Sequence, residues 1–120
     1  MPRDFRTIQA WQLADELAVR VYQATEHFPK HEQYGLTQQV RRAAVSVPSN
    51  IAEGAARASN NEYLHFCSIA LGSLAEVRYQ LHLSCRLKYL DGSVQAELET
   101  LANRVGAALH GLMAAMRAQQ

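Results

Sequence analysis

At 120 residues the chain is one domain by length, with material for one hydrophobic core and not for two. Apolar residues make up 48% and Gly and Pro are few, which excludes a disordered chain; twelve basic residues against eleven acidic ones leave a formal charge of +1, a balance that does not advertise a polyanion partner. No apolar run approaches the roughly 20 residues of a membrane span and the N-terminus lacks a signal-peptide core, so the expectation is a cytoplasmic protein with no membrane partner.

Four helical periods follow in order, at roughly 8–28, 36–57, 60–90 and 94–117, and define a single four-helix-bundle domain over 1–120. In the first, Thr7 is the expected cap. Trp11, Ala14, Ala18, Val21, Tyr22, Thr25 and Phe28 repeat at steps of three and four, the period of a bundle seam, until Pro29 stops the helix. Glu32 to Gly35 make a tight connection.

The second period carries Leu36, Val40, Ala43, Ala44, Val47, Ile51 and Gly54 on one face at about 100° per residue. Its apolar spacing does not slip across Pro48. The expectation is one continuous helix kinked at Pro48, although an interior proline removes a backbone hydrogen bond, orphans the Ala44 carbonyl and costs roughly 3 kcal/mol. Ser46, Ser49 and Asn50 are the short polar side chains suited to bonding backbone groups there.

Ser59-Asn-Asn-Glu62 reads as a capping box for the third helix, with core positions Tyr63, Phe66, Cys67, Ala70, Leu74, Val77, Leu81 and Ser84. A second apolar set, Leu64, Ile69, Leu71, Leu83, Leu87 and Leu90, exceeds what one seam needs and is a candidate oligomer patch. Gly72-Ser73 would admit close approach of another backbone, within the bundle or from a second subunit. Asp91-Gly92-Ser93 is a short turn, so the third and fourth helices are antiparallel neighbours, with Ser93 a plausible cap. Val94, Leu98, Leu101, Val105, Leu109, Leu112 and Met116 form the last stripe. The fold class is therefore all-α, an up-and-down antiparallel four-helix bundle.

The chemistry-bearing residues are sparse. Cys67 and Cys85 lie on one helix, about 27 Å apart at its rise per residue, too far for a disulfide within one chain. His27 and His31 flank Pro29, and the single Glu62-x-x-His65 lacks the second motif and the inward carboxylates of a di-iron site, so no metal and no cofactor is expected. Ser46 and Ser49 have no predicted base beside them and no phosphate-binding glycine loop exists, so no catalytic residue is assigned and the chain reads as a non-enzyme.

What remains is the polar face of the second helix, Gln39, Arg42, Ser46, Ser49, Asn50, Glu53 and Arg57. Short polar groups dominate where a solvent face would carry long charged ones, so this stripe is a candidate interface or binding surface. Arg41, Arg42 and Arg57 are candidate phosphate contacts, set against pairing of Arg57 with Glu53 at i, i+4.

The stretch QQVRRAAVSVPSNIAEGAARAS resembles the signature of the bacterial 23S ribosomal RNA intervening-sequence proteins. Trp11 with ADEL, FPKHEQYGL ahead of that stretch and CSIALGSLAEVRYQL after it agree in order and spacing, so the resemblance runs from about Phe5 to Leu90. It implies a cytosolic up-and-down bundle that assembles into homopentamers, without an established catalytic activity. Some members are encoded in insertions within ribosomal RNA genes, and the related accessory proteins of diversity-generating retroelements bind nucleic acid and a reverse transcriptase. The combined expectation is a non-enzymatic homo-oligomeric scaffold or adaptor with RNA or DNA as the leading partner class. The alternatives are a module that binds another protein, and a small-molecule or catalytic site at the polar stripe.

Overall fold

Four helices carry the chain in the computed structural model, which describes residues 3–119: α1 Gln9–Ala24, α2 Leu36–Ala55, α3 Asn60–Arg86 and α4 Gly92–Ala118. Each helix packs on the next and α4 returns to α1, while neither diagonal pair touches, so the four form a closed ring around one core, 46 × 24 × 20 Å overall. This is the up-and-down bundle that the short connections require. No helix among the described residues is long and apolar enough to cross a membrane.

The expected ends move by a few residues, each for a local reason. Asp4, not Thr7, caps the start: its carboxylate accepts from the Arg6 amide and begins a 3-10 turn at Phe5–Thr7, while the Thr7 hydroxyl donates to the Asp4 carbonyl. α1 then starts behind Ile8 with no side-chain cap. It stops at Ala24, short of Phe28, where the Thr25 hydroxyl folds back onto the carbonyls of Val21 and Tyr22 at 2.8 and 3.2 Å. α3 ends at Arg86 and not at Leu90. Lys88 takes φ 66°, and the Tyr89 and Lys88 amides bond back to the carbonyls of Ser84 and Cys85, a Schellman closure with lysine where glycine is usual. α4 begins at Gly92 with Asp91, in place of Ser93, as its cap. Of the capping box, the half in which Ser59 Oγ accepts from the Glu62 amide is present, whereas the Glu62 carboxylate turns toward Arg57.

α2 runs unbroken through Pro48, as its apolar period requires, and every residue of its expected core face is buried. The buried faces of the other helices join it: Ala14, Leu17 and Val21 from α1; Tyr63, Cys67, Leu74 and Leu81 from α3; Leu98, Val105 and Leu109 from α4. Tyr22, placed on the α1 seam by spacing, is instead 45% exposed and carries the Arg41 guanidinium 4.5 Å over its ring.

The closest helix contact is between α2 and α3, and it is set by Gly54. A Cβ there would stand 2.9 Å from both Phe66 Cβ and Tyr63 Cδ1 and 3.3 Å from the Tyr63 carbonyl. Gly72 meets nothing, so it is not the point of close approach, while its neighbour Ser73 is packed inside the bundle.

Two clasps close the ends. Arg3 donates to the Ala55 and Arg57 carbonyls and to Asn60 Oδ1 at 3.4, 3.1 and 2.9 Å, and its guanidinium lies 4.7 Å over the Tyr63 ring, fastening the N-terminal segment onto the α2–α3 corner. At the other end Glu32 Oε1 accepts from the Leu36 amide at the start of α2, and Glu32 Oε2 accepts from the Tyr89 hydroxyl at 3.1 Å. Tyr89 has one hydroxyl proton and gives it to Glu32, so the 3.2 Å contact with His31 Nε2 requires the protonated Nε2 as donor.

Candidate functional site

Between α2 and α3 lies an open groove of about 510 Å³ lined by Gln39, Arg42, Ala43, Ser46, Ser73, Glu76 and Gln80. Its centre is a bonded ladder. Asn50 Nδ2 donates to the Ser46 carbonyl at 2.8 Å and to Ser46 Oγ at 2.9 Å, and Ser46 Oγ pairs with Ser73 Oγ at 2.8 Å. The Asn50 bond takes up a backbone carbonyl one turn from Pro48, the use that short polar residues near an interior proline were expected to have. Beside the ladder the side chains of Gln39, Arg42 and Glu76 make no hydrogen bond or ion pair within the chain, and Gln80 Oε1 is sealed from solvent without a partner.

The polar stripe of α2 therefore divides. Gln39, Arg42 and Ser46 line this groove, with Asn50 bonded to Ser46. Ser49, about 100° around the helix from Asn50, lies on the other side, in a hollow between α1 and α2 with Trp11, Asp15, Val45 and Pro48. Glu53 and Arg57 pair with each other at 2.8 Å, and the Arg57 guanidinium lies 4.8 Å over the Phe66 ring.

The candidate phosphate contacts divide in the same way. Arg57 is held by Glu53, Glu62 and Phe66. Arg41 bonds Thr25 Oγ1 at 2.8 Å through Nε and the Tyr22 carbonyl at 3.2 Å through Nη2. Arg42 alone of the three is unengaged. Elsewhere Arg20 pairs with Glu97 and Arg78 with Glu99 across α4, at 3.1 and 2.6 Å.

The candidate oligomer patch of α3 breaks up. Ile69 and Leu87 are exposed, at 39% and 45%; Leu64 and Leu71 pack partly against the core and Leu83 is half-buried. Leu90 does not belong to a surface patch at all: the left-handed turn at Lys88 sends the chain back over the bundle and buries Leu90 at 6% exposure. Spacing alone missed Ser73, Glu76 and Gln80 as partners of the α2 stripe; the one available signal was Ser73 beside Gly72 at mid-helix.

Cys67 is buried and Cys85 half-buried, both as free thiols. Burial pushes the Cys67 thiol up to about 11 and the Tyr63 hydroxyl up to about 12, the latter aided by the neighbouring Cys67 charge. A thiol raised in this way is the opposite of an activated nucleophile. No group of three or more His, Cys, Asp or Glu among the described residues could hold a metal ion.

These features define an all-α bundle with a polar contact groove on α2 and α3 and no assembled reaction centre among the described residues. The chain belongs to the 23S rRNA-intervening sequence protein family, whose model matches residues 6–111. Its fold is shared with a crystal structure of a protein of unknown function from the S23 ribosomal protein family of Bacteroides thetaiotaomicron VPI-5482. The two are 20% identical and superpose with a TM-score of 0.78 over 87% of this chain and 97% of that one. No curated protein matches the chain. Neither the family's description nor the relative's names an activity.

Proposed function

We propose that this chain is a non-enzymatic, cytoplasmic helical scaffold that assembles with copies of itself, a pentamer on the family resemblance, and that the α2–α3 groove is a contact surface in the assembly. The observation that carries this reading is the groove's composition: a fully bonded Ser46–Asn50–Ser73 ladder flanked by Gln39, Arg42, Glu76 and Gln80, none of whose side chains is partnered within the chain. A sealed, unpaired Gln80 oxygen is costly alone and is relieved by a donor from outside. Arg42 and Glu76 offer both signs of charge on one surface, which suits a protein neighbour and fixes its register.

A nucleic-acid role draws its support from the family's description, with its reference to 23S rRNA. It stands second because Arg41 and Arg57 are engaged within the chain and only Arg42 is free.

The test is light scattering or sedimentation at micromolar concentration. The expected result is a defined oligomer that Asn50→Leu or Glu76→Lys weakens; a well-folded 13.4 kDa particle overturns the proposal. RNA binding that falls steeply with salt would move the nucleic-acid reading to first place.

A further inference from the structure

Beneath the α1–α2 connection lies a second, smaller recess of about 220 Å³, remote in kind from the α2–α3 groove. Its walls are Phe28 and Pro29, and its polar members are Thr25, Glu26, Lys30, Gln33, Thr37 and Arg41. Three observations coincide there.

Thr37 lines the recess at 8% exposure, and its hydroxyl is shut off from solvent with no hydrogen-bond partner in the protein. Such a hydroxyl normally finds a partner, so its vacancy calls for an acceptor or donor from outside the chain. Arg41 is fixed beside it: Nε and Nη2 are held by Thr25 and Tyr22 and the guanidinium is stacked on the Tyr22 ring, which leaves Nη1 without a partner on a rigid, permanently charged fork. Lys30 brings a second cation with no ion pair, against one carboxylate, the exposed Glu26. Thr37 is also the second residue of α2, at the positive end of a 20-residue helix. The first amide of that helix is capped by Glu32, and the Thr37 and Gln38 amides have no backbone acceptor.

A single water is too small an occupant, since a water's share of liquid volume is about 30 Å³. We propose that this recess is a binding site for one oxyanion, a phosphate group, held by the Thr37 hydroxyl, the Nη1 group of Arg41 and the Lys30 ammonium. The phosphate could belong to a free small molecule or to a nucleic-acid backbone; the chemistry of capture is the same and the experiment separates the two.

The full chain is titrated with inorganic phosphate at constant ionic strength, with chloride as the control. Amide resonances of Thr37, Gln38 and Arg41 and the melting temperature are followed. Saturable shifts confined to these residues and a melting temperature that rises with phosphate are expected. Thr37→Val preserves size, so without phosphate it melts at or above the parent temperature, because an unpartnered hydroxyl has been removed. It binds phosphate about tenfold more weakly or worse, the loss of one hydrogen bond to a charged group. Lys30→Gln weakens binding without altering the melt in chloride. Displacement of phosphate by a short RNA lacking terminal phosphates assigns the site to a backbone phosphate, and failure to displace assigns it to a small molecule. The absence of saturable shifts up to tens of millimolar phosphate, or Thr37→Val binding as well as the parent, overturns the proposal.

Discussion

Gly54 carries more of the architecture than any other single residue. Because a Cβ would fall 2.9 Å from Phe66 Cβ and Tyr63 Cδ1 and 3.3 Å from a carbonyl, Gly54→Ala must part α2 from α3. Alanine returns about 1 kcal/mol of helix propensity, but overpacking of this kind costs about 1–3 kcal/mol. The expected outcome is a net loss of stability in denaturant melts, with a lowered midpoint. Cys67 and Tyr63, one turn apart on the facing helix, govern the alkaline limit. In the unfolded chain they ionise near their ordinary 9 and 10, whereas burial holds them to about 11 and about 12 in the fold. Between those limits the unfolded state binds fewer protons, so stability falls as pH rises from about 9 and levels off above about 12. Below pH 9 these two groups contribute no slope. Melting temperatures across that range check this, and Cys67→Ala should delay the onset by about one pH unit, to where Tyr63 alone ionises.

Among the elements, α2 and α3 were the most legible in the sequence and the reasons are particular. The core face of α2 could be read across Pro48 because apolar spacing is a property of the whole helix, and a proline with both flanks packed does not interrupt it. Its polar face could be recognised as unlike a solvent face. Its partners could not be named, because Ser46 meets Ser73 only through the rotation of one helix on another, which no period within a single helix encodes. Helix ends were the least legible for a related reason. Thr7 and Ser93 were each displaced by an aspartate two or three residues earlier that reached the first free amide, and Lys88 adopted a left-handed turn that its residue type does not announce. That one turn moved Leu90 from a supposed surface patch into the core. The ladder itself has a measurable energy. Asn50→Ala removes two bonds to Ser46 and should destabilise the chain by about 1–2 kcal/mol. A double-mutant cycle of Ser46→Ala with Ser73→Ala should show a coupling of about 0.5–1.5 kcal/mol. Additivity of the two would show that the hydroxyl pair contributes nothing of its own.

The whole molecule is a closed ring of helices with contacts mostly between sequence neighbours, so its two hairpins, α1–α2 and α3–α4, are joined chiefly by the long α2–α3 contact. Arg3 secures one end of that join and Glu32 with Tyr89 the other. Arg3→Ala removes three hydrogen bonds and a stacked cation and should lower the melting temperature without altering helix content in circular dichroism.

Both clasps bear on α2 and α3, and neither reaches the distal half of α4, whose ion pairs to Arg20 and Arg78 sit near its start. The bundle should consequently breathe from one corner. In hydrogen–deuterium exchange the amides of the last turns of α4, from Leu112 onward, are expected to trade their protons first, those of α2 around Val47 last, so that a proteolytic nick would release the tail of the molecule long before it loosened the grooved face.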